Sequence, residues 1–134
     1  MESKTILILD DEQSFCYVCA AILREEGYRT LCAFSGEEAL QKLRDTDTVD
    51  LILSDVNLPG MSGLDFLAHV QRAGKKPPPC ILITVHEFQD LYPKLQGRSI
   101  AGYMNKPIDF HELKRLIHQV LQNHRRDSSE AGGT

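Results

Sequence analysis

The stretch Thr5-Ile-Leu-Ile-Leu-Asp-Asp-Glu12 decides the fold, because three acids directly follow five residues that suit a buried strand. A short, strongly apolar run of this kind favours a strand of a parallel sheet that is covered on both faces. Adjacent carboxylates at the end of such a strand repel each other unless a cation or hydrogen-bond donors lie nearby. The stretch therefore raises the question of what these acids hold.

Short apolar runs of this type recur along the chain and alternate with segments of helical period. We predict strands at 5–9, 28–33, 50–54, 80–84 and 101–104, and helices near 14–26, 36–44, 63–73, within 87–97 and at 109–124. Ser35 and Asp109 precede two of these helices and are predicted to cap them with their side chains. The alternation predicts an α/β fold with a parallel sheet between two layers of helices.

The composition limits the functions open to the chain. Its 134 residues with 42% hydrophobic content suit one domain with a sizeable core. The net charge of -4 argues against a surface that binds nucleic acid or anionic lipid. We find no apolar run long enough for a membrane span or a signal peptide and expect a cytoplasmic protein. The periodicity ends after about residue 124, and 125–134 is predicted to be a flexible tail or a truncated linker.

The four cysteines are predicted to be free thiols in the core. Cys16 and Cys19 have the two-residue gap of a zinc site, but Cys32 and Cys80 stand alone in strand-like runs. No second close pair or nearby histidine completes a tetrahedral set of ligands.

Polar residues follow four of the five predicted strands. The first strand ends at Asp10 and Asp11, the third at Asp55, the fourth at Thr84 and the fifth at Lys106. Ligands of open parallel sheets bind beyond the carboxyl ends of the strands, so these side chains are expected to converge. Three ionised carboxylates and one ammonium leave two negative charges, which one divalent cation would neutralise. Magnesium suits few carboxylates and retained waters better than calcium does, and zinc would favour histidine or thiolate.

Four motifs in chain order resemble the receiver domain of two-component response regulators: Leu9-Asp10-Asp11-Glu12, Ser54-Asp55-Val56-Asn57-Leu58-Pro59-Gly60-Met61-Ser62-Gly63, Thr84 and Tyr103-Met104-Asn105-Lys106-Pro107. The resemblance covers about residues 4–124, so residues 1–124 are assigned to a receiver domain. It implies a flavodoxin-like, doubly wound (βα)5 fold with the sheet order 2-1-3-4-5.

The resemblance also implies a phosphoryl-transfer site. Asp55 is the implied acceptor of a phosphoryl group from the phosphohistidine of a sensor histidine kinase or a phosphotransfer protein. Mg²⁺ is implied at Asp11, Asp55 and the backbone carbonyl of Asn57, with Asp10 acting mostly through water. The domain would then be a signalling switch that catalyses its own phosphorylation and dephosphorylation, and not a conventional enzyme.

Two further implied roles concern catalysis and switching. The Thr84 hydroxyl and the Lys106 ammonium would stabilise the transferring phosphoryl group. Thr84 and Tyr103 are the implied switch residues. They would report phosphorylation to the face built by the fourth helix, fifth strand and fifth helix, where an output domain or downstream protein binds.

The sequence departs from the family pattern at two places. Val85 follows Thr84 where receivers usually carry alanine or glycine, and we expect it to restrict access of small donors or water. Pro93 lies inside the fourth predicted helix, where it removes an amide donor and disfavours helical geometry at Tyr92. We therefore predict an irregular stretch at about 86–92, with a helix from Pro93 to near Gly97, or a segment that is mobile before phosphorylation.

The remaining polar residues receive structural assignments. Glu12 is predicted to favour the start of the first helix through its charge. His86 is predicted to be an exposed loop residue, with a modulatory role left open by its place near Thr84. Surface helix positions are predicted for the other histidines, which are His69, His111, His118 and His124.

Three other functions stay open at this point. A magnesium-dependent phosphatase with an aspartate nucleophile would carry Asp-x-Asp after its first strand, whereas this chain has adjacent acids. An interaction module that is never phosphorylated would be expected to lack Asp11, Asp55 or Lys106, and all three are present. A flavin-binding protein would need a phosphate loop where Asp10, Asp11 and Glu12 would repel the phosphate.

Overall fold

Five parallel strands form one sheet in the order β2-β1-β3-β4-β5. The computed structural model describes residues 3–72 and 76–133, with side chains described as far as Asn123. The strands are β1 (Thr5–Leu9), β2 (Arg29–Ala33), β3 (Leu51–Asp55), β4 (Cys80–Thr84) and β5 (Gly102–Asn105). The predicted α/β class and strand order are confirmed, and each predicted strand lies within one residue of its observed bounds.

Helices follow each strand and cover both faces of the sheet. They are α1 (Gln13–Glu25), α2 (Gly36–Asp45), α3 (Gly63–Arg72), α4 (Phe88–Leu91) and α5 (Phe110–Gly133). Both predicted caps are confirmed. The Ser35 side chain accepts a hydrogen bond from the Glu38 amide, and Oδ1 of Asp109 accepts from the amides of His111 and Glu112.

The alternation of side chains along β1 divides the core into two layers. Ile6 and Ile8 pack in one buried cluster with residues of α1 and α5. Leu7 and Leu9 point to the other face and pack in a cluster with residues of α2, α3 and α4. Because both faces of the central strands are covered, all four of these side chains are almost completely buried.

The last helix is longer than predicted, since α5 continues to Gly133 instead of ending at 124. The reason lies in the sequence after 124, which contains no proline and reaches glycines only at its end, so nothing stops the helix earlier. The predicted domain boundary at 124 stays a prediction. The predicted end of the third helix at Ala73, the side chain of His124 and Thr134 lie outside the described residues. Within the described part of the chain, no helix is both apolar and long enough to cross a bilayer.

The segment around Pro93 is helical in two short pieces. The single α-turn Phe88–Leu91 is followed directly by a 3₁₀ turn, Tyr92–Leu95. The prediction of an irregular stretch at 86–92 is therefore wrong for 88–91, whereas the predicted helix start at Pro93 lies within one residue of the observed start of the 3₁₀ turn at Tyr92. The proline is accommodated in the first turn of the 3₁₀ piece, where its missing amide removes no hydrogen bond.

Two buried leucines explain why this segment keeps helical turns. Leu91 and Leu95 are buried against the sheet, so a helical turn before and after the proline is needed to direct both side chains inward. The predicted end near Gly97 is confirmed, because Gln96 and Gly97 have φ angles of 51° and 81° and stop the helix.

The cysteines are free thiols, as predicted. Cys16, Cys19 and Cys80 are buried, whereas Cys32 is only half-buried. Burial raises the pKa of Cys19 and Cys80 to about 12, so these thiols are protonated at neutral pH.

Candidate functional site

The ammonium of Lys106 joins the carboxylates at the ends of β1 and β3. Its Nζ lies 2.7 Å from Oδ2 of Asp10 and 3.0 Å from Oδ2 of Asp55. Because β1 and β3 are neighbours in the sheet, the two aspartates end side by side, and Lys106 reaches them from the end of β5. The predicted convergence of these three residues is confirmed.

The second oxygen of each aspartate is held by the backbone. Oδ1 of Asp10 accepts from the Glu12 amide at 2.9 Å, and Oδ1 of Asp55 accepts from the Asn57 amide at 3.0 Å. Each buried carboxylate thus has one oxygen on a main-chain amide two residues later and the other on Lys106. This pairing fixes the direction of both carboxylates, which are 1% and 7% exposed as whole residues.

At both Asp10 and Lys106, burial and the hydrogen bonds to neighbouring groups shift the pKa in opposite directions. Burial raises the pKa of the Asp10 carboxyl above its usual 3.8, although hydrogen bonds from Lys106 and the Glu12 amide oppose the shift. Burial alone would lower the pKa of Lys106, but its hydrogen bonds to Asp10 and Asp55 outweigh that effect and raise it above the usual 10.5. Lys106 is therefore a permanent cation at physiological pH.

Asp11 completes an acidic cluster that fits a hard cation. Asp10, Asp11 and Asp55 each offer a carboxylate oxygen, and these oxygens lie within 4.8 Å of one another. Asp11 is exposed beside its two buried neighbours, so a hydrated ion can approach from solvent. An all-oxygen set with an open side suits Mg²⁺, which keeps several of its waters. The residues present thus fit the magnesium ion that the sequence indicated.

Thr84 lies at the end of β4 with its side chain fully buried. Its Oγ1 accepts a hydrogen bond from the His86 amide at 3.1 Å, so the hydroxyl proton stays available for an acceptor. The backbone carbonyl of Thr84 accepts from the amide of Lys106 at 2.9 Å and from the Asn105 side chain at 3.2 Å. These bonds tie the ends of β4 and β5 together next to the acidic cluster.

Tyr103 packs beside the loop that follows β4. Its hydroxyl donates to the backbone carbonyl of His86, which also accepts from Nδ2 of Asn105 at 2.7 Å. The ring of Tyr103 is half-buried and lies 5.2 Å from that of Phe88, between centroids. The tyrosine that the sequence proposed as a switch is thus hydrogen-bonded to the loop that begins at Thr84.

The loop after β3 depends on Gly63 for a close backbone approach. The Gly63 amide donates to the Val56 carbonyl at 2.9 Å. A Cβ at this position would lie 2.1 Å from the Asp55 carbonyl oxygen and 2.8 Å from Val56 Cα, so only glycine fits. This glycine allows the chain to fold back on the residues that carry Asp55 and Asn57.

The structure adds contacts that sequence reasoning missed. His86 is half-buried and not exposed, because its Nε2 lies 3.1 Å from Nδ2 and 3.3 Å from Oδ1 of Asn57. Phe15 places its ring 4.8 Å from Nζ of Lys106, and the Asn105 side chain bonds to the loop after β4. No periodicity signals these contacts, since they join segments that are distant in the chain. Only their positions mark His86 and Asn105, since the first lies two residues after Thr84 and the second directly precedes Lys106.

The exposure of the remaining residues shows where their side chains lie. Val85 is 64% exposed at the end of β4, and its effect on access stays a prediction. Glu12 lies just before α1 with Oε1 3.5 Å from Nζ of Lys106, so its charge acts on the site as well as on the helix. The predicted surface histidines with described side chains are all exposed, namely His69, His111 and His118.

Known proteins show the same sequence pattern and fold. The family model described as response regulator receiver domain matches residues 6–118. The transcriptional regulatory protein ZraR of Klebsiella oxytoca is 30% identical over 128 residues, covering 96% of this chain and 28% of its own length. The chain thus spans about a quarter of this relative.

Solved structures agree with the family match. The response regulator protein TrrA from Thermotoga maritima, in complex with Mg(2+)-BeF, is 32% identical with a TM-score of 0.77, covering 87% of this chain and 98% of its own. The CheY-like receiver domain protein from Methanospirillum hungatei JF-1 is 27% identical with a TM-score of 0.82, covering 94% of this chain and 99% of its own.

Proposed function

The chain belongs to the response regulator receiver domains, and from this we propose that it is a switch in which Asp55 accepts a phosphoryl group with the help of Mg²⁺. The observation that carries the proposal is the joint hydrogen bonding of Lys106 to Asp10 and Asp55 at 2.7 and 3.0 Å. It places a fixed positive charge directly beside the proposed nucleophile. The donor is the phosphohistidine of a sensor histidine kinase or of a phosphotransfer protein.

Transfer of the phosphoryl group depends more on positioning and charge neutralisation than on covalent chemistry by the protein. A carboxylate oxygen of Asp55 forms a bond to phosphorus while the phosphorus–nitrogen bond of the phosphohistidine breaks. The electron pair of that bond returns to the imidazole nitrogen of the donor, and the product on Asp55 is an acyl phosphate. Attack by water on this phosphorus then releases inorganic phosphate and restores the carboxylate.

The ligands that we propose for Mg²⁺ are Asp11, Asp55 and the backbone carbonyl of Asn57, with Asp10 acting through water. When bound, the ion neutralises the carboxylates and the charge on the phosphoryl oxygens. The crystallised complex of TrrA with Mg(2+)-BeF supports this choice of ion by family likeness. Lys106 supplies the remaining positive charge, and it shifts from Oδ2 of Asp55 to a phosphoryl oxygen once the acyl phosphate forms.

The reporting of phosphorylation rests on Thr84 and Tyr103. The Thr84 hydroxyl donates to a phosphoryl oxygen, which draws the loop after β4 toward Asp55. Because His86 in this loop bonds to both Thr84 and Tyr103, its movement changes the support of the tyrosine. A phosphoryl group that favours one loop position by about 3 kcal/mol would change the ratio of the two states about a hundredfold.

The signal is proposed to pass to a partner that binds the face formed by α4, β5 and α5. On this face the ring of Phe88 contacts the rings of both Tyr92 and Tyr103, and Tyr92 is 66% exposed. An output domain or a downstream protein would bind there. We place the domain in the cytoplasm with its kinase, and we assign to it no direct contact with nucleic acid or membrane.

The decisive test is the site of labelling. Wild-type protein treated with Mg²⁺ and acetyl phosphate, or with a phosphorylated histidine kinase, should gain one phosphoryl group on Asp55 by mass spectrometry. Asp55→Asn removes the nucleophile while nearly keeping its shape, so it should remain unlabelled and folded. Asp47→Asn changes an exposed aspartate at the opposite edge of the sheet and should label normally. Labelling of another residue in Asp55→Asn, or none in the wild type, would contradict the proposal, and the second result would favour an interaction module.

Magnesium binding is tested separately by thermal unfolding. Mg²⁺ should raise the melting temperature of the wild type, because it binds the folded acidic cluster and relieves its repulsion. Asp11→Ala should remove most of this increase, whereas Asp47→Ala should keep it. Equal increases in both variants would place the ion elsewhere.

A further inference from the structure

Phe15 lies against the ammonium of Lys106. Nζ of Lys106 is positioned over the Phe15 ring, 4.8 Å from its centroid, which is within the range of a cation–π interaction. Phe15 lies in the first turn of α1, directly after the loop that carries Asp10 and Asp11. The ring therefore reaches Lys106 from the helix that directly follows the loop carrying two of the three acids.

A second aromatic residue holds this ring in place. Phe15 stacks with Phe110, at 6.5 Å between centroids and an interplanar angle of 27°. Phe110 is the first residue of α5, which begins shortly after Lys106 in the chain. Both rings pack on the core cluster that lies between α1, α5 and the sheet. The position of the Phe15 ring is thus fixed from two sides.

We propose that Phe15 is a positioning residue that holds the Lys106 ammonium in place for phosphoryl transfer. The proposal rests on the function proposed above for Asp55. The ammonium has two short hydrogen bonds, to Asp10 and Asp55, whereas its third carboxylate neighbour Glu12 is 3.5 Å away on an exposed side chain. The π-face of Phe15 supplies the remaining contact and prevents the flexible lysine from turning into solvent.

This contact matters most when the hydrogen bond to Asp55 is lost. As Asp55 bonds to phosphorus, Lys106 has to move from Oδ2 to a phosphoryl oxygen over a short path. An ammonium restrained by the ring stays within reach of the transferring group, because the ring attracts its N–H groups more weakly than an anionic oxygen does and does not bind the phosphoryl oxygens. A lysine without this restraint would sample more rotamers and would be correctly placed for a smaller fraction of the time.

The test compares residues that keep the aromatic face with residues that keep only apolar volume. Phe15→Tyr should phosphorylate with acetyl phosphate at close to the wild-type rate, whereas Phe15→Leu should be about fivefold slower, on the scale of a half-exposed cation–π contact. Phe15→Met provides a second non-aromatic variant if the leucine impairs folding. Tyr17→Leu is the matched control, since it removes another aromatic ring from the same helix. The ring of Tyr17 is exposed and contacts that of Phe34 instead of Lys106.

A spectroscopic measurement makes the test independent of activity. Protons over an aromatic face are shielded, so the ε-methylene resonances of Lys106 should lie upfield in the wild type and Phe15→Tyr. They should move downfield in Phe15→Leu and Phe15→Met and stay unchanged in Tyr17→Leu. Failure of the wild type to label on Asp55 would refute the proposed function, whereas this shift still decides whether the ring holds Lys106. The inference is overturned if the leucine variant keeps the upfield shift, or if leucine and tyrosine support equal rates.

Discussion

The acidic rim formed by Asp10, Asp55 and Lys106 and the segment 85–97 lie at the same edge of the sheet but are held in opposite ways. At the rim, each oxygen of both buried aspartates has a hydrogen-bond partner. In the segment, two buried leucines anchor short helical turns, and the side chains of Val85 and Tyr92 are 64% and 66% exposed.

This difference follows from the work proposed for each region. Phosphoryl transfer needs charges at fixed positions, and buried, paired charges on strand ends supply them. A switch needs a part that changes state at small free-energy cost, and a segment with few buried contacts supplies that. The molecule thus combines a proposed reaction site held by paired, buried charges with an exposed segment that we propose as the reporter. Four experiments test this contrast.

The largest effect is expected from glycine substitutions in the two regions. In Gly63→Ala the new Cβ would lie 2.1 Å from the Asp55 carbonyl oxygen, so the backbone beneath the nucleophile must shift. We expect a loss of about 3 kcal/mol or more in the free energy of unfolding, measured with urea. Gly97→Ala meets only open space at a φ of 81° and should lose about 1–2 kcal/mol. Similar losses at the two sites would contradict the contrast.

Hydrogen exchange compares the segment with α5 directly. Amides of 88–97 should exchange at least about tenfold faster than those of 110–121 in the unphosphorylated protein, because local opening there exposes little apolar surface. Phosphorylation should reduce the difference if the loop after β4 is drawn toward Asp55. Uniformly strong protection across 88–97 before phosphorylation would show that the segment is as rigid as the rim.

A smaller effect is expected in the pH dependence of stability. The folded-state pKa of Lys106 is raised above its usual 10.5, so its stabilising contribution is complete below that pH and is lost as pH rises further. Lys106→Met should therefore lose less stability than the wild type between pH 9 and about pH 12.

The same variant should gain more stability on acidification. The raised pKa of Asp10 favours its protonated form on folding, and removal of the lysine strengthens that preference. Lys114→Met serves as control, since Lys114 forms a partly exposed ion pair with Glu26 at 3.1 Å and lies outside the acidic cluster. Identical pH profiles for Lys106→Met and the wild type would show that the rim is not held by this charge.

The smallest effect is expected at Val85, where the two regions meet. Val85→Ala should speed phosphorylation or dephosphorylation about twofold to threefold if the side chain narrows the approach to Asp55, an effect below 1 kcal/mol. Rates from acetyl phosphate and from the decay of the labelled protein measure both directions. Unchanged rates would show that the Val85 side chain does not limit access to Asp55 and belongs only to the exposed segment.

The sequence by itself determined the elements and the candidate reacting groups. Apolar runs alternating with helical periods predicted all five strands, because burial on both faces of a sheet requires such runs. The acids, the threonine and the lysine at strand ends were identifiable because parallel strands bring their carboxyl ends to one edge of the sheet.

Residues that usually end a helix were less reliable signals. Pro93 only converted a helix into an α-turn and a 3₁₀ turn, because the burial of Leu91 and Leu95 outweighed it.

Only the tertiary structure decided which atoms meet. The pairing of each aspartate oxygen, the ring of Phe15 over Lys106 and the His86 contact with Asn57 join segments far apart in the chain. Such contacts depend on strand order, on the length of each loop and on side-chain rotamers, none of which has a local sequence period. The physical reason is that residue type sets what a group can do, whereas packing of the whole sheet and its helices sets what it can reach.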